Sequence, residues 1–282
     1  MAKNLAFSTV APKNNLDELS LGNKIPVILL HGWGLNSGVW QPLINRINEN
    51  IESDYQFITI DLPGFGCNTQ VDISPYSLEN ICYYLTSTIK KPAIYLGWSL
   101  GGLIATQMAK QYPDQVLGLI TVASSPLFVE QNQPPWPGIK SSVLENFHLQ
   151  LADDTEKTLR NFLKIQAMGS PHIRQDLRLI TQLVMSHDLP NKDVLANSLH
   201  LLSDSDLRQQ ISSIPQPFLR LYGKNDSLIP HPVIEAISDL APNSSQFTFE
   251  HASHAPFISH LEPFYQQLMA WLDKYFGESV SC

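Results

Sequence analysis

The stretch Ala93-Ile94-Tyr95-Leu96-Gly97-Trp98-Ser99-Leu100-Gly101-Gly102 decides the reading of this chain. Its first four residues form an apolar run suited to a buried strand, and residues 102–110 continue with helical spacing. Between them, Gly97 to Gly101 spells G-x-S-x-G, a turn so tight that only glycine leaves room at the flanking positions. Such a turn lifts the serine hydroxyl clear of the sheet, which makes Ser99 a candidate nucleophile. The bland alternative is an ordinary helix-capping serine. The strand before it and the helix after it favour the chemical reading.

Working outward, further short apolar runs lie at residues 27–30, 57–60, 117–122, 218–221 and 247–249. They are continuous rather than alternating, as strands buried on both faces should be. Amphipathic segments near 39–48, 77–89, 101–111, 231–240 and 262–275 lie between or after them. Alternating strands and helices predict a mostly parallel, doubly wound sheet with helices on both faces. The alternation breaks at residues 125–213, where no convincing strand is found. A proline-rich entry, Pro134-Pro135-Trp136-Pro137-Gly138, leads into helix-like segments near 141–151, 155–168, 170–187 and 193–202. This predicts a helical cap, 125–213, inserted into an α/β core made of 1–124 and 214–282. Residues 1–24 are weakly patterned, with room for a short edge strand around 5–10.

Composition narrows the classes. With 282 residues, 43% apolar and 16% charged, the chain reads as a globular enzyme, and 20 prolines mark loops and boundaries. No segment approaches the roughly 18 apolar residues of a membrane span, and residues 1–10 lack the pattern of a secretion signal. A cytoplasmic protein is expected. Cys67, Cys82 and Cys282 are odd in number and widely spaced, which suits reduced thiols rather than disulfides or a zinc ribbon. The net charge of −8 argues against nucleic-acid binding, so an acidic partner would need a local basic patch.

A serine nucleophile requires a base, an acid to orient that base and donors for the oxyanion. On this strand–elbow–helix plan the acid and then the histidine follow the serine in the chain, on loops after later strands. Asp226, in Gly223-Lys224-Asn225-Asp226-Ser227, and His254, in His251-Ala252-Ser253-His254-Ala255-Pro256, meet that order. Asp226 alone also reads as a turn residue. His251 and His260 compete with His254, and His251 with His254 has the spacing of a metal pair, though no third ligand lies near. The oxyanion donors are expected to be the backbone N–H of Leu100 and, from the loop His31-Gly32-Trp33-Gly34, that of Trp33. His31 reads as a structural residue of that loop. Asp61-Leu62-Pro63-Gly64-Phe65-Gly66 matches neither nucleotide-binding glycine motif and reads as a turn. Trp33, Trp98, Phe128, Phe162 and Phe257 are candidates to line an apolar channel, or simply core.

Taken together, residues 31–36, 61–66, 96–102, 121–126, 136–140, 218–223 and 254–260 resemble the pimeloyl-[acyl-carrier protein] methyl ester carboxylesterases of biotin synthesis, the BioH-type α/β-hydrolases. Trp136-Pro137-Gly138-Ile139-Lys140 and His254-Ala255-Pro256-Phe257-Ile258-Ser259-His260 are its most specific motifs. The resemblance implies the α/β-hydrolase fold and hydrolysis of a methyl ester on a carrier-bound pimeloyl chain. It also implies a triad of Ser99, Asp226 and His254, and a pocket formed by Trp33, Ser99, Leu100, Phe162, Leu163, Lys164, Ile165, Gln166 and His254. Basic cap residues would receive the acidic carrier protein: Lys157, Arg160, Lys164, Arg174 and Arg178 face only Asp176 between positions 157 and 178. No cofactor or metal is expected, and a monomer suffices.

Two other readings share these residues. A broader carboxylesterase or thioesterase would use the same triad on small acyl esters. A non-catalytic ligand-binding protein on the same fold is the alternative from a different class. A dehalogenase or epoxide hydrolase would carry aspartate where Ser99 stands.

Overall fold

The computed structural model describes residues 7–9, 24–49, 53–185 and 188–277. The expected strands appear as β1 (Phe7–Thr9), β2 (Ile25–Leu30), β3 (Tyr55–Ile60), β4 (Ala93–Trp98) and β5 (Val116–Val122), followed after an insertion by β8 (Phe218–Gly223) and β9 (Ser245–Phe249). Their order in the sheet is β1-β3-β2-β4-β5-β8-β9, parallel throughout except for β1, which runs antiparallel to β3. β4, which ends at the elbow, lies near the middle.

Strand periodicity divides the core. Ile28, Leu30 and Tyr95 point to the face covered by α2 (Leu78–Thr88), α3 (Leu100–Gln111) and α9 (His231–Leu240). Val27, Leu29, Ile94, Leu96 and Trp98 point to the other, against α1 (Gln41–Asn48) and α11 (Leu261–Phe276). Helices on both faces of a parallel sheet leave the carboxyl ends of the strands as the open edge, where α/β sheets bind ligands.

Between β5 and β8 come β6 (Gln131–Asn132), β7 (Pro135–Trp136), α4 (Ser141–Asp153), α5 (Thr155–Ala167), α6 (Ile173–Val184), α7 (Lys192–Asp204) and α8 (Arg208–Ile211). The expectation of no strand here is corrected: β6 and β7 pair as a small antiparallel hairpin. Two-residue strands carry no readable alternation, and the hairpin is pinned by tertiary contact, the Trp136 indole N–H donating to Leu127 O at 2.7 Å. α6 begins at Ile173 rather than near 170, because Ser170 donates to Asp176 at 2.5 Å and accepts the His172 N–H, holding a turn before the helix. Residues 186–187, at its expected end, lie outside the described residues, as does Cys282. Asp154 and Asn191 cap α5 and α7, accepting from Lys157 N and Val194 N.

The insertion is fastened to the loops at the sheet's carboxyl edge. Trp33 donates to Leu195 O at 3.0 Å and Asn36 to Val184 O at 2.9 Å, both buried. Among the described residues, no helix is long and apolar enough to cross a membrane.

Candidate active site

Ser99 joins β4 to α3 with φ 55° and ψ −115°. A left-handed φ at a non-glycine residue costs about 1–3 kcal/mol and persists only where the surroundings impose it. Here Ser99 N donates to Val122 O on the neighbouring strand, and Ser124 Oγ donates to Ser99 O at 2.7 Å. The flanking glycines are required by space: a Cβ on Gly97 would overlap the backbone of Gly101, and one on Gly101 would overlap Leu30 O. Leu100 is the first residue of α3, so its N–H has no carbonyl one helical turn earlier. The loop carrying Trp33 runs alongside, since a Cβ on Gly32 would lie 3.3 Å from Ser99 Cβ.

Asp226 and His254 come together from loops after β8 and β9. Asp226 Oδ2 lies 2.8 Å from His254 Nδ1, with both side chains buried. Asp226 Oδ1 accepts from Leu228 N at 2.8 Å and Ile229 N at 3.2 Å. One carboxylate thus accepts from its own turn and faces the His254 imidazole. Against an ionised carboxylate Nδ1 must carry the proton, which leaves the lone pair on Nε2. His254 Nε2 is buried and has no hydrogen-bond partner among the described residues. Buried polar atoms are almost always paired, so this nitrogen is what a reacting hydroxyl would satisfy. The competing histidines stand elsewhere: His251 is exposed, and His260 Nδ1 faces Ser259 Oγ at 2.9 Å.

Both ring nitrogens of His31 are occupied, Nδ1 against Gly32 O at 2.9 Å in its own loop and Nε2 accepting from Leu62 N at 3.0 Å in the loop after β3. Burial, partly offset by Asp61, lowers its pKa and keeps it neutral. Asp61 takes the N–H groups of Ser37, after β2, and of Cys67, in its own loop, on its two carboxylate oxygens, joining the two segments. Among the described residues no group of three or more His, Cys, Asp or Glu is placed to hold a metal ion.

The helices between β5 and β8 complete the surroundings unevenly. Trp33 meets Phe162 edge-on at 4.8 Å and Phe147 at 6.3 Å. Phe147, on α4, falls in the helix-like segment 141–151, where nothing in the sequence marks it out as a site residue. The segment Phe162 to Gln166 is helical, so its five residues cannot all face one cavity: Phe162, Leu163 and Gln166 are buried, Ile165 is half-buried and Lys164 is exposed. The Gln166 carboxamide is buried with neither Oε1 nor Nε2 hydrogen-bonded. The expected five-aromatic channel also divides. Trp33, Phe128 and Phe162 belong to one core cluster, whereas Trp98 and Phe257 pack with Trp40 in the other, because Trp98 points to the opposite face of β4.

Of the basic cap residues, Arg160 is paired with Glu156 at 2.7 Å. Lys157, Lys164, Arg174 and Arg178 are exposed and form no ion pair among the described residues, while Asp176 is buried against Ser170.

A family model for the alpha/beta hydrolase fold matches residues 25–261. A pimeloyl-[acyl-carrier protein] methyl ester esterase of Photobacterium profundum is 45% identical over 247 residues, covering 88% of this chain and 94% of the relative. One of the same name from Vibrio atlanticus is 42% identical over 253 residues, with coverage of 88% and 94%. Among solved structures, an esterase from Exiguobacterium antarcticum superposes with a TM-score of 0.77 at 23% identity, covering 89% of this chain and 93% of its own. A bromoperoxidase from Bacillus anthracis reaches 0.80 at 18% identity, covering 96% and 100%. At such low identity these two structures speak for the fold alone.

Proposed function

Because the chain belongs to the α/β-hydrolase fold family and, within it, to the pimeloyl-[acyl-carrier protein] methyl ester esterases, we propose that Ser99, His254 and Asp226 are the triad with which it hydrolyses the methyl ester of a pimeloyl chain on acyl-carrier protein. It is a carboxylic ester hydrolase serving biotin synthesis. The observation that carries the triad is the buried Asp226–His254 pair, whose outer nitrogen has no partner, in a fold whose elbow holds Ser99 in a strained turn.

Ser99 Oγ attacks the ester carbonyl carbon while His254 Nε2 takes its proton, and the carbonyl oxygen becomes an oxyanion held by the N–H groups of Trp33 and Leu100. When the tetrahedral intermediate collapses, the C–O bond to the methoxy group breaks and His254 returns the proton to it, releasing methanol. Water then attacks the acyl-serine with His254 again as base, giving the free carboxylate and restoring Ser99. Asp226 holds the imidazole in the required tautomer.

Trp33, Phe147 and Phe162 offer apolar surface to the methylene chain, at about 0.8 kcal/mol per buried CH₂. The unpartnered Gln166 carboxamide supplies a polar contact beside it. Lys157, Lys164, Arg174 and Arg178 meet the acidic carrier. Every proposed site residue lies in one chain, so a monomer suffices, and the carrier-bound substrate sets the reaction in the cytoplasm.

The test is mass detection of methyl loss from carrier-linked pimeloyl methyl ester. The wild type converts it and Ser99→Ala does not. Hydrolysis of small free esters with the carrier-linked ester untouched would overturn the substrate in favour of a broad carboxylesterase. Failure of a phosphonate to label Ser99 would favour a non-catalytic binder.

A further inference from the structure

Each member of the proposed acid–base pair is preceded by a residue whose side chain is hydrogen-bonded to the last turn of α5 or to the chain just beyond it. Ser253, next to His254, donates through Oγ to Gln166 O at 2.9 Å, in a buried contact. Asn225, next to Asp226, donates through Nδ2 to Gly169 O at 3.0 Å, at the surface. Gln166 lies in the last turn of α5, where carbonyls have no partner within the helix, so the Ser253 hydroxyl acts as a cap delivered from the catalytic loop. The two loops are also stitched to each other, Asn225 N donating to Ala252 O at 2.8 Å and Lys224 N to Phe249 O at 3.0 Å. A closed circuit results: α5, Ser253, His254, Asp226, Asn225, Gly169 and back to the chain leaving α5.

We propose that Ser253 and Asn225 are positioning residues that clamp the His254–Asp226 pair to the C-terminal end of α5, so that the base is held in register only while the cap is docked. This rests on the triad reading above. Fixing the side chain of the preceding residue fixes the Cα from which the imidazole or carboxylate projects, because the intervening peptide is planar and rigid. The same helix presents Phe162 to Trp33 and carries Lys157 and Lys164 on its exposed side. A ligand that draws α5 onto the core thereby also tightens the base. Ser253 is the stronger arm, since its bond is shielded from water, whereas water replaces that of Asn225 readily.

The experiment compares Ser253→Ala, Asn225→Ala and the double variant with wild type, using p-nitrophenyl acetate turnover, the rate at which a small p-nitrophenyl phosphonate modifies Ser99, and the downfield proton resonance of His254 Nδ1–H. Ser253→Ala is expected to lower kcat and the phosphonylation rate together by roughly tenfold to a hundredfold, the range for small misplacements of reacting groups. KM should stay within about twofold, and the downfield proton should shift or broaden. Asn225→Ala should do the same more weakly. Ser253→Thr, which keeps the hydroxyl, should recover most of the loss. Should Ser253→Ala fail to fold, Ser253→Cys keeps the volume with a much weaker donor and should show the same pattern. Unchanged kcat, phosphonylation and proton resonance in a variant that merely unfolds at lower temperature would overturn the clamp while leaving the triad standing. A wild-type protein not phosphonylated at Ser99 would instead overturn the triad, and the clamp with it.

Discussion

The indole N–H of Trp98 donates to the carbonyl oxygen of His254 at 2.7 Å, joining the residue before the proposed nucleophile to the proposed base across 156 positions of sequence. The rings of the two residues lie 5.7 Å apart, and Trp98 also meets Phe257 edge-on at 4.9 Å. The G-x-S-x-G pattern leaves the residue before the serine open. Here it is the contact through which the elbow and the histidine loop become one body.

Trp98→Phe should keep most of the aromatic packing while leaving His254 O buried without a donor. An unsatisfied buried acceptor costs about 1–3 kcal/mol. Urea unfolding is expected to register that loss, and kcat on a small ester should fall with it because the loop that carries His254 loses a tether. Wild-type values for both would show that the contact holds nothing in place.

Ser99→Ala and Ser99→Gly should both abolish ester hydrolysis, leaving at most the residual rate that the oxyanion donors supply. They should differ in stability. Alanine retains a Cβ at φ 55°, whereas glycine adopts that angle freely, so Ser99→Gly should be the more stable protein by about 1 kcal/mol or more. Thermal melts of the two inactive proteins separate the strain from the chemistry.

Asp226 serves two sets of donors, and substitution can part them. Asp226→Asn keeps an oxygen for Leu228 N and Ile229 N but no longer fixes the tautomer of His254, so kcat should drop by roughly 10⁴-fold with the fold intact. Asp226→Ala removes the turn acceptor too, and should add about 1–3 kcal/mol of destabilisation. Circular dichroism melts beside ester kinetics check both.

His31 makes stability depend on pH. Its folded pKa lies below the ordinary value near 6.5, chiefly through burial, and Nε2 must stay unprotonated to accept from Leu62 N. The unfolded chain therefore binds the proton first. Stability is full above about pH 6.5 and falls as the pH drops through that value towards the folded pKa, by up to about 1.4 kcal/mol per pH unit for this group. Denaturant midpoints measured from pH 7.5 to 5 should fall in the wild type and fall less steeply in His31→Gln. Parallel slopes would assign the effect to other groups, such as His148 and His260, which burial also lowers.

The parts of this fold that the sequence made legible are those with a period or a fixed local spacing. Val27 to Leu30 and Ala93 to Leu96 stand out because parallel strands are apolar on both sides, and the elbow glycines because space forbids anything else. The β6–β7 hairpin and the short helix α10 (Pro256–Ser259) are too brief to show a period. The grouping of aromatic residues failed for another reason: whether Trp98 sides with Trp33 or with Trp40 depends on which face of β4 it leaves, and no local pattern states that. Phe147, Ser253 and Asn225 gain their roles only from partners 56 to 114 residues away, which spacing along the chain cannot reveal.

The exposed basic residues of the cap give a last prediction, in which one residue serves as an internal control. Lys157, Lys164, Arg174 and Arg178 form no ion pair among the described residues, whereas Arg160 is held by Glu156 on the next turn of α5. An approaching acidic protein responds to uncompensated charge, and pairing within the helix cancels much of that of Arg160. Arg174→Glu and Lys157→Glu should therefore each raise KM for the carrier-linked ester several-fold without changing kcat or the hydrolysis of p-nitrophenyl acetate, and Arg160→Ala should change it least. Raising salt from 50 to 500 mM should weaken the carrier-linked reaction of the wild type and narrow its gap from the variants, since screening at about 4 Å reaches only contacting charges. Equal effects of Arg160→Ala and Arg174→Ala, or variants that slow the small ester as much as the carrier-linked one, would place carrier docking on another surface.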